Sequence, residues 1–172
     1  MLGKHLASVY FTKAPRRYTL AFLTGCIQPD RNPATYLKGS LHHRLLHGHN
    51  WTNSQKYMQK LCLRLESRKK LRLLDFYSMG KLIHYVTDAF TFTHNEWFDR
   101  DILTHRYYET DLEHLFLKTL NSFRSPSAQN SGNVMDIIRS YHAEYRRFPV
   151  SMSADCRYSI LVSSLVVAML LQ

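Results

Sequence analysis

The sequence predicts an all-α protein, folded as a single-domain bundle of six or seven helices. Apolar residues recur at helical spacing along most of the chain, and no stretch alternates apolar and polar residues as a strand would. The 172 residues are enough for one domain with a full hydrophobic core. Six glycines and five prolines are too few for a low-complexity or collagen-like chain.

The first two helices are delimited by prolines. We predict helices over residues 3–12 and 16–27, with Pro15 between them and Pro29 ending the second. Proline ends a helix because it lacks the N–H group that the helix interior uses. Residues 29–50 form a long irregular loop rich in histidine, and a loop of that length in a compact domain is usually functional or disordered.

Five further helices follow this loop. Asn53 is the predicted N-cap or first-turn residue of the third helix, Asp75 opens the fourth, and Asp99 or Asp101 opens the fifth. A turn-rich stretch over 125–133 and a proline at position 149 separate the remaining elements. The predicted ranges are 53–67, from 75 onwards, from 99 or 101 to about 123, 133–147 and 151–171.

Charge and cysteine content narrow the class of protein. The formal net charge of +10 favours anionic partners such as phosphate esters, nucleic acid or anionic lipid. Three widely spaced cysteines without a CxxC motif indicate reduced thiols rather than a disulfide framework. No secretory signal is recognisable, so we expect a cytoplasmic protein. The apolar run 160–171 is short for a membrane span, and we interpret it as a buried closing helix, with peripheral membrane contact left open.

Histidine is the unusual residue of this chain, with ten copies against thirteen Asp and Glu. His84 and Asp88 are four residues apart, His94 follows, and His105 and Glu109 are again four apart. Residues at i and i+4 share one helix face, so each pair can point at one ion. Imidazole and carboxylate groups are the usual non-thiolate ligands of zinc, which predicts a metal site in the bundle core, with surface hydrogen bonding as the alternative.

The order and spacing of these residues resemble the zinc-dependent phospholipase C family, which also includes the fungal single-strand-specific nucleases. The family core reads H-Y-x-x-D, then His six residues after the Asp, then H-x-x-x-E or H-x-x-x-D about a dozen residues further on. The chain has His84-Tyr85-Val86-Thr87-Asp88, then His94, then His105-x-x-x-Glu109. The family also uses an early His and an Asp upstream, which look like His5 and Asp30, so the resemblance covers roughly residues 3–116.

The resemblance implies a cluster of two zinc ions, with a third also considered. One zinc would be held by Asp30, a loop histidine, His84 and Asp88. The second would be held by His94, His105 and Glu109, and the third by Asp88, His5 and the α-amino end. The loop ligand is His49, His42 or His43, in that order of preference. Asp30 is also the implied general base, and Phe92 stands where the family often has proline.

Three functions remain open at this point. The first is a zinc-dependent phosphodiester hydrolase acting on a phospholipid or another phosphodiester, with nucleic acid as an alternative substrate and no obligate protein partner. The second is a non-catalytic, zinc-stabilised helical protein. The third is a basic nucleic-acid-binding domain using the tract 64–72. We expect His142 to lie on the surface, and Trp51 to pack in the core.

Overall fold

A computed structural model describes residues 1–31, 50–95, 98, 102–123 and 132–172 of the chain, with the backbone alone at 102, 103, 105 and 106. These residues contain seven α-helices and no strand, which confirms the all-α prediction. A short 3-10 helix, Phe92–His94, lies between α4 and α5. The helices are α1 Leu2–Tyr10, α2 Arg16–Arg31, α3 Trp51–Glu66, α4 Leu73–Ala89, α5 Ile102–Ser122, α6 Val134–Tyr145 and α7 Met152–Leu170.

Helix α4 is the centre of the bundle. It packs against α2, α3 and α7, and most of its side chains are buried, including Met79, Leu82 and Val86, which are fully inaccessible. A helix that is apolar on nearly all sides is expected in the interior of a bundle. All seven helices contribute to one continuous hydrophobic core. Ser78 and Lys81 are the polar residues in the middle of α4, and His84 and Asp88 lie in its last two turns.

Two glycines allow α2 and α4 to cross with their backbones in contact. A Cβ atom built on Gly25 would lie 2.1 Å from the carbonyl oxygen of Tyr77, and one built on Gly80 would lie 2.1 Å from that of Phe22. Neither carbonyl belongs to a flexible side chain, so neither can move aside without shifting a helix. The helices can approach this closely only because both positions lack a side chain.

Helix α2 ends later than predicted. It continues through Pro29 to Arg31, so Asp30 lies in the last helical turn and not in a turn that follows the helix. Pro29 sits close to the helix end, where its missing N–H group removes a single backbone hydrogen bond and leaves the rest of the helix intact. The predicted stop at Pro29 was therefore wrong.

The starts of α3 and α4 also differ from the prediction in detail. Asn50 is the N-cap of α3 and its side chain accepts from the Asn53 N–H at 2.9 Å, which makes Asn53 a first-turn residue. Helix α4 begins at Leu73, and Asp75, its third residue, accepts from the Arg72 N–H at 2.9 Å. Asp75 thus caps the Arg72 N–H from inside the first turn rather than from the start of the helix. The predicted start of α5 at 99 or 101 falls outside the described residues.

Helix α7 is long and apolar enough to cross a membrane by length and composition, but 67% of its apolar window is buried inside the bundle. Its contacts are with α1, α4, α5 and α6, and Ile160, Val162 and Val166 are inaccessible to solvent. The same composition is expected of a central core helix. The helix closes the bundle, as the sequence predicted.

His142 is buried, which contradicts the predicted surface position. Its ring stacks on Trp51 at 3.8 Å between centroids, and its Nε2 atom lies 3.0 Å from Oδ1 of Asn95. Burial and the nearby positive charge of Arg146 lower the pKa of His142 to about 3. The helical periodicity was informative here, because His142 lies four residues after the buried Ile138 on the same face of α6.

We predict that replacing Gly25 or Gly80 by alanine destabilises the protein by about 1–3 kcal/mol or more, as overpacking does. Alanine is intrinsically favoured over glycine within a helix by about 1 kcal/mol, so a loss of stability requires that the backbone clash outweighs helix propensity. Chemical denaturation measures the change. The control is Gly132→Ala, where a Cβ atom would meet nothing within 4 Å. Equal stability of Gly80→Ala and wild type would contradict the close crossing.

The burial of neutral His142 predicts a stability loss in acid. Because its folded pKa lies below that of the unfolded chain, its stabilising contribution is complete above about pH 6.5 and decreases as the pH falls towards 3, by at most about 1.4 kcal/mol per pH unit. The measurement is the free energy of unfolding of wild type and His142→Gln across this range. The difference between the two should shrink as the pH falls, and a constant difference would argue against a buried neutral imidazole.

Candidate metal centre

The predicted ligands converge at one end of the bundle, where α2 and α4 end. Asp30 occupies the last turn of α2, and His84 and Asp88 occupy the last two turns of α4. His94 ends the 3-10 helix that follows α4, and Glu109 lies in the second turn of α5. Four separate elements therefore supply the five side chains. Asp30, His84 and Asp88 come together because the crossing of α2 and α4 places the carboxyl-terminal ends of these helices next to each other.

His84 is held by a backbone carbonyl. Its Nδ1 atom lies 3.0 Å from the carbonyl oxygen of Cys26, and since a carbonyl only accepts, Nδ1 carries the proton of this bond. The Nε2 atom points the other way, 3.2 Å from Oδ2 of Asp88 and 3.5 Å from Oδ1 of Asp30. Histidines that bind metal are usually oriented in this manner, with the second ring nitrogen donating to a carbonyl or carboxylate.

The carboxylates at this end of the bundle raise the pKa values of the neighbouring histidines. Burial opposes the protonated form of His84, but the carboxylates of Asp88 and Asp30 outweigh burial and raise its pKa to about 9. His94 behaves in the same way, because Asp88 and Glu109 raise its pKa against the effect of burial. The Nε2 atom of His94 lies 3.1 Å from Oε1 of Glu109. Asp88 acts on both histidines, so His84, Asp88, His94 and Glu109 belong to one cluster.

The donor set fits divalent metal in its chemistry. Ligand atoms about 2.0–2.2 Å from a tetrahedral zinc ion lie about 3.3 Å from one another, and the two contacts of His84 Nε2 with carboxylate oxygens measure 3.2 and 3.5 Å. In the described parts of the chain, no group of three or more His, Cys, Asp or Glu side chains is already arranged around a common point. The side chains pair directly with each other, and a proton on His84 occupies the nitrogen that a metal would need.

His5 has a buried nitrogen that fits the same chemistry. It lies in the middle of α1, and its Nε2 atom is buried without a hydrogen-bond partner among the described residues. A buried polar atom is costly unless something satisfies it. The amino group of Met1 is close enough to Cys26 to oppose the rise of its thiol pKa to about 12, which burial causes. The amino-terminal helix is therefore next to the residue whose carbonyl holds His84.

The side chains of the remaining predicted ligands lie outside the part of the chain that the structure describes. The loop candidates His42, His43 and His49 lie outside the described residues. The backbone of His105 lies in α5, one helical turn before Glu109, while its side chain is outside the description. Their assignments, like the ligand roles of the other residues, stay predictions.

The sequence prediction missed the groups that hold the turn carrying His94. The carboxylate of Asp155, at the start of α7, is fully buried and accepts from the Phe92 N–H at 2.9 Å, from the Tyr108 hydroxyl at 2.8 Å and from the Tyr145 hydroxyl at 2.7 Å. Burial raises the pKa of Asp155. The Asp155 bond also explains why Phe92 suits this chain, because a proline at that position would have no N–H to donate.

Asn95 fixes the other side of the same turn. Its amide group donates to the carbonyls of Ala89 and Thr91, at 3.2 and 2.8 Å, and so satisfies groups left open where α4 ends. Its oxygen faces Nε2 of His142. Asn95 directly follows His94, which is the sequence signal that could have identified it, whereas Asp155 is distant in sequence and has no such signal.

An all-α bundle with a histidine–carboxylate cluster between its helix ends is an arrangement that helical metalloproteins use. The comparison with known families identifies which one. The sequence model of zinc dependent phospholipase C matches residues 1–148, and the chain belongs to that family. Membership indicates dependence on zinc and hydrolysis of phosphodiesters. Comparisons with curated proteins and with solved structures give no match.

We predict that Asp155→Asn destabilises the protein by about 1–3 kcal/mol, although it lies beyond the matched residues. Asparagine keeps one acceptor oxygen but turns an NH₂ group towards donors that previously met a carboxylate. Thermal or chemical unfolding measures the loss, with Asp111→Asn, an exposed position on α5, as the matched control. Wild-type stability of Asp155→Asn would show that the three hydrogen bonds do not hold this turn.

Proposed function

We propose that this protein is a zinc-dependent phosphoric diester hydrolase of the phospholipase C type, which cleaves a phospholipid or another phosphodiester by attack of water. The single observation that carries the proposal is the arrangement of His84, whose Nδ1 donates to a backbone carbonyl while Nε2 faces the carboxylates of Asp30 and Asp88. Family membership indicates the reaction class, and this arrangement supplies a reason for expecting it in this chain.

The proposed zinc ligands follow the family pattern. One ion would be held by Asp30, a loop histidine, His84 and Asp88; a second by His94, His105 and Glu109; and a third, also considered, by Asp88, His5 and the α-amino end. When bound, zinc lowers the pKa of a coordinated water to near neutrality and neutralises charge on phosphoryl oxygens. His84 and His94 must lose their extra protons to bind it, so loading is favoured at higher pH.

The exposure of the carboxylates divides their roles. The side chain of Asp30 is 59% exposed, whereas that of Asp88, whose Oδ2 lies 3.2 Å from His84 Nε2, is 12% exposed. An exposed carboxylate next to the ligand nitrogen can take a proton from a water molecule and release it to solvent, which is what a general base does. We therefore assign the base to Asp30, and we assign to Asp88 the task of holding both histidines.

The net charge of the chain favours an anionic class of substrate. A phosphodiester is anionic, and a chain with a net charge of +10 attracts it before any specific contact forms. Phospholipid and nucleic acid share this phosphodiester chemistry. We place phospholipid first because the family takes its name from it, with nucleic acid as the alternative substrate.

The proposal is tested by zinc content and turnover together. Protein purified without chelator should contain two to three zinc ions per chain by elemental analysis and should hydrolyse choline or nucleotide phosphodiesters. Asp30→Asn should lower kcat about a hundredfold or more while the unfolding midpoint changes little, because removal of a general base costs rate rather than fold. The control is again Asp111→Asn.

Each alternative gives a different result. Tight zinc without turnover in the wild type would favour the non-catalytic, zinc-stabilised protein. At most one zinc in a stably folded chain would overturn the hydrolase proposal. Wild-type turnover of Asp30→Asn would remove Asp30 as the base and leave the metal centre standing.

A further inference from the structure

One face of α4 is accessible to solvent beside the metal centre. From Asp75 to Phe90 every residue is buried except four, which are Tyr77, Lys81, His84 and Thr87. Their spacing of three or four residues places them on one face of the helix. Lys81 supplies the only ammonium group of this face, and it precedes His84 by three residues. A lysine therefore lies within one helical turn of a proposed zinc ligand.

The ammonium group of Lys81 lies between two tyrosine rings. Its Nζ atom is 5.2 Å from the ring centroid of Tyr57, on α3, and 5.7 Å from that of Tyr77. Tyr57 also packs edge-on against Tyr85 at 5.3 Å, and Tyr85 packs edge-on against His84 at 5.4 Å. These ring contacts connect the lysine with the metal centre. We call Lys81, Tyr57 and Tyr77 the lysine subsite.

Lys81 has no acidic partner in the described parts of the chain. No carboxylate there pairs with its Nζ atom, whereas the carboxylates of Asp30 and Asp88 both face His84. The two tyrosine rings attract the positive charge, but a ring face offers no oxygen acceptor to the three N–H donors of an ammonium group. The lysine is therefore able to bind an anionic group that comes from solution.

The position of the subsite indicates which part of a substrate it meets. An α-helix rises about 1.5 Å per residue, so Lys81 lies about 5 Å and Tyr77 about 10 Å before His84 along the axis. Because the ammonium group contacts the Tyr77 ring, it lies beside the metal centre and not within it. A phosphoryl group at the zinc ligands would thus leave Lys81 for a second anionic group several ångströms away.

Lys81 also disfavours two other kinds of substrate. Aromatic faces attract quaternary ammonium groups such as choline, and they stack on the bases of single-stranded nucleic acid. The faces that Tyr57 and Tyr77 turn towards the subsite are already occupied by the Lys81 ammonium group. Its charge would repel a choline, and its side chain covers the surface on which a base would stack.

We propose that Lys81 is a specificity-determining residue, which selects phosphodiesters whose headgroup carries a second anionic group, such as a phosphorylated polyol. The inference rests on the proposed function, because the first phosphoryl group is the one at the metal centre. The net charge of +10 attracts every phosphodiester, whereas Lys81 distinguishes among them by the charge of the headgroup.

The test is isothermal titration calorimetry of the full chain supplied with zinc, using two matched pairs of ligands. One pair is inositol 1,4-bisphosphate and inositol 1-phosphate, and the other is thymidine 3′,5′-bisphosphate and thymidine 5′-monophosphate. We expect the inositol bisphosphate to bind about tenfold or more tightly than the monophosphate, because it gains a charge-assisted hydrogen bond. Lys81→Gln should remove this preference and leave the affinity for the monophosphate nearly unchanged.

Two further variants separate the charge of Lys81 from other effects. Lys81→Arg keeps the positive charge and should keep the preference. Lys118→Gln removes the same charge from an exposed position on α5 and should leave both affinities unchanged. Circular dichroism of each variant checks that the fold is intact.

Equal losses for both members of the inositol pair in Lys81→Gln, or an unchanged preference, would overturn the inference. A preference that depends on Lys81 in the thymidine pair alone would overturn the headgroup assignment and indicate a nucleic-acid substrate. Phosphodiester turnover is measured on the same protein. Turnover without a preference due to Lys81 would leave the hydrolase proposal standing. A preference due to Lys81 in a protein that neither retains zinc nor turns over a phosphodiester would overturn the hydrolase proposal alone.

Discussion

The contact between Gly25 and Gly80 is the constraint on which the metal centre depends. Helix α2 passes α4 so closely that a single Cβ atom at either glycine would strike a carbonyl oxygen of the other helix. The residue after Gly25 then presents its carbonyl to His84, which lies one turn beyond Gly80. Asp30 reaches the same imidazole from the end of α2. If the helices moved apart, the carbonyl and the carboxylate would leave His84 together.

A second set of contacts holds the other half of the centre. The 3-10 turn with His94 is attached to α7 through Asp155 and to α6 through the bond between Asn95 and His142. These bonds come from buried groups, which are strong when satisfied and costly when one partner is removed. The carboxyl-terminal helices thus contribute to the site although they bring no proposed ligand to it. Their contribution is to fix the backbone from which His94 projects.

Local patterns were sufficient for the fold class and for the contact between His84 and Asp88. Helical spacing placed His84 with Asp88, and the sequence order placed His94 after them, because both relations are short-range. The predictions from sequence were wrong where the position of a residue in its helix, or a contact with residues distant in sequence, decided the structure. The sequence predicts a helix end at Pro29, yet one missing hydrogen bond near a terminus does not stop α2. The sequence predicts a surface position for His142, but Trp51 and Asn95, which are distant in sequence, contact its ring in the interior. Asp155 was missed for the same reason.

The hydrogen bond from His84 to the Cys26 carbonyl bears on how this site can change over evolutionary time. A backbone carbonyl is present whatever the side chain, so a substitution at position 26 preserves the group that orients the imidazole. Side chains at that position are limited by volume, since the Cys26 sulfur already lies against Gly3, and by polarity, since burial disfavours a charged group there. The glycine beside it has no such freedom. The evolvability of the centre is therefore uneven: its most constrained neighbours are positions without side chains, while the residue that supplies the orienting atom can drift.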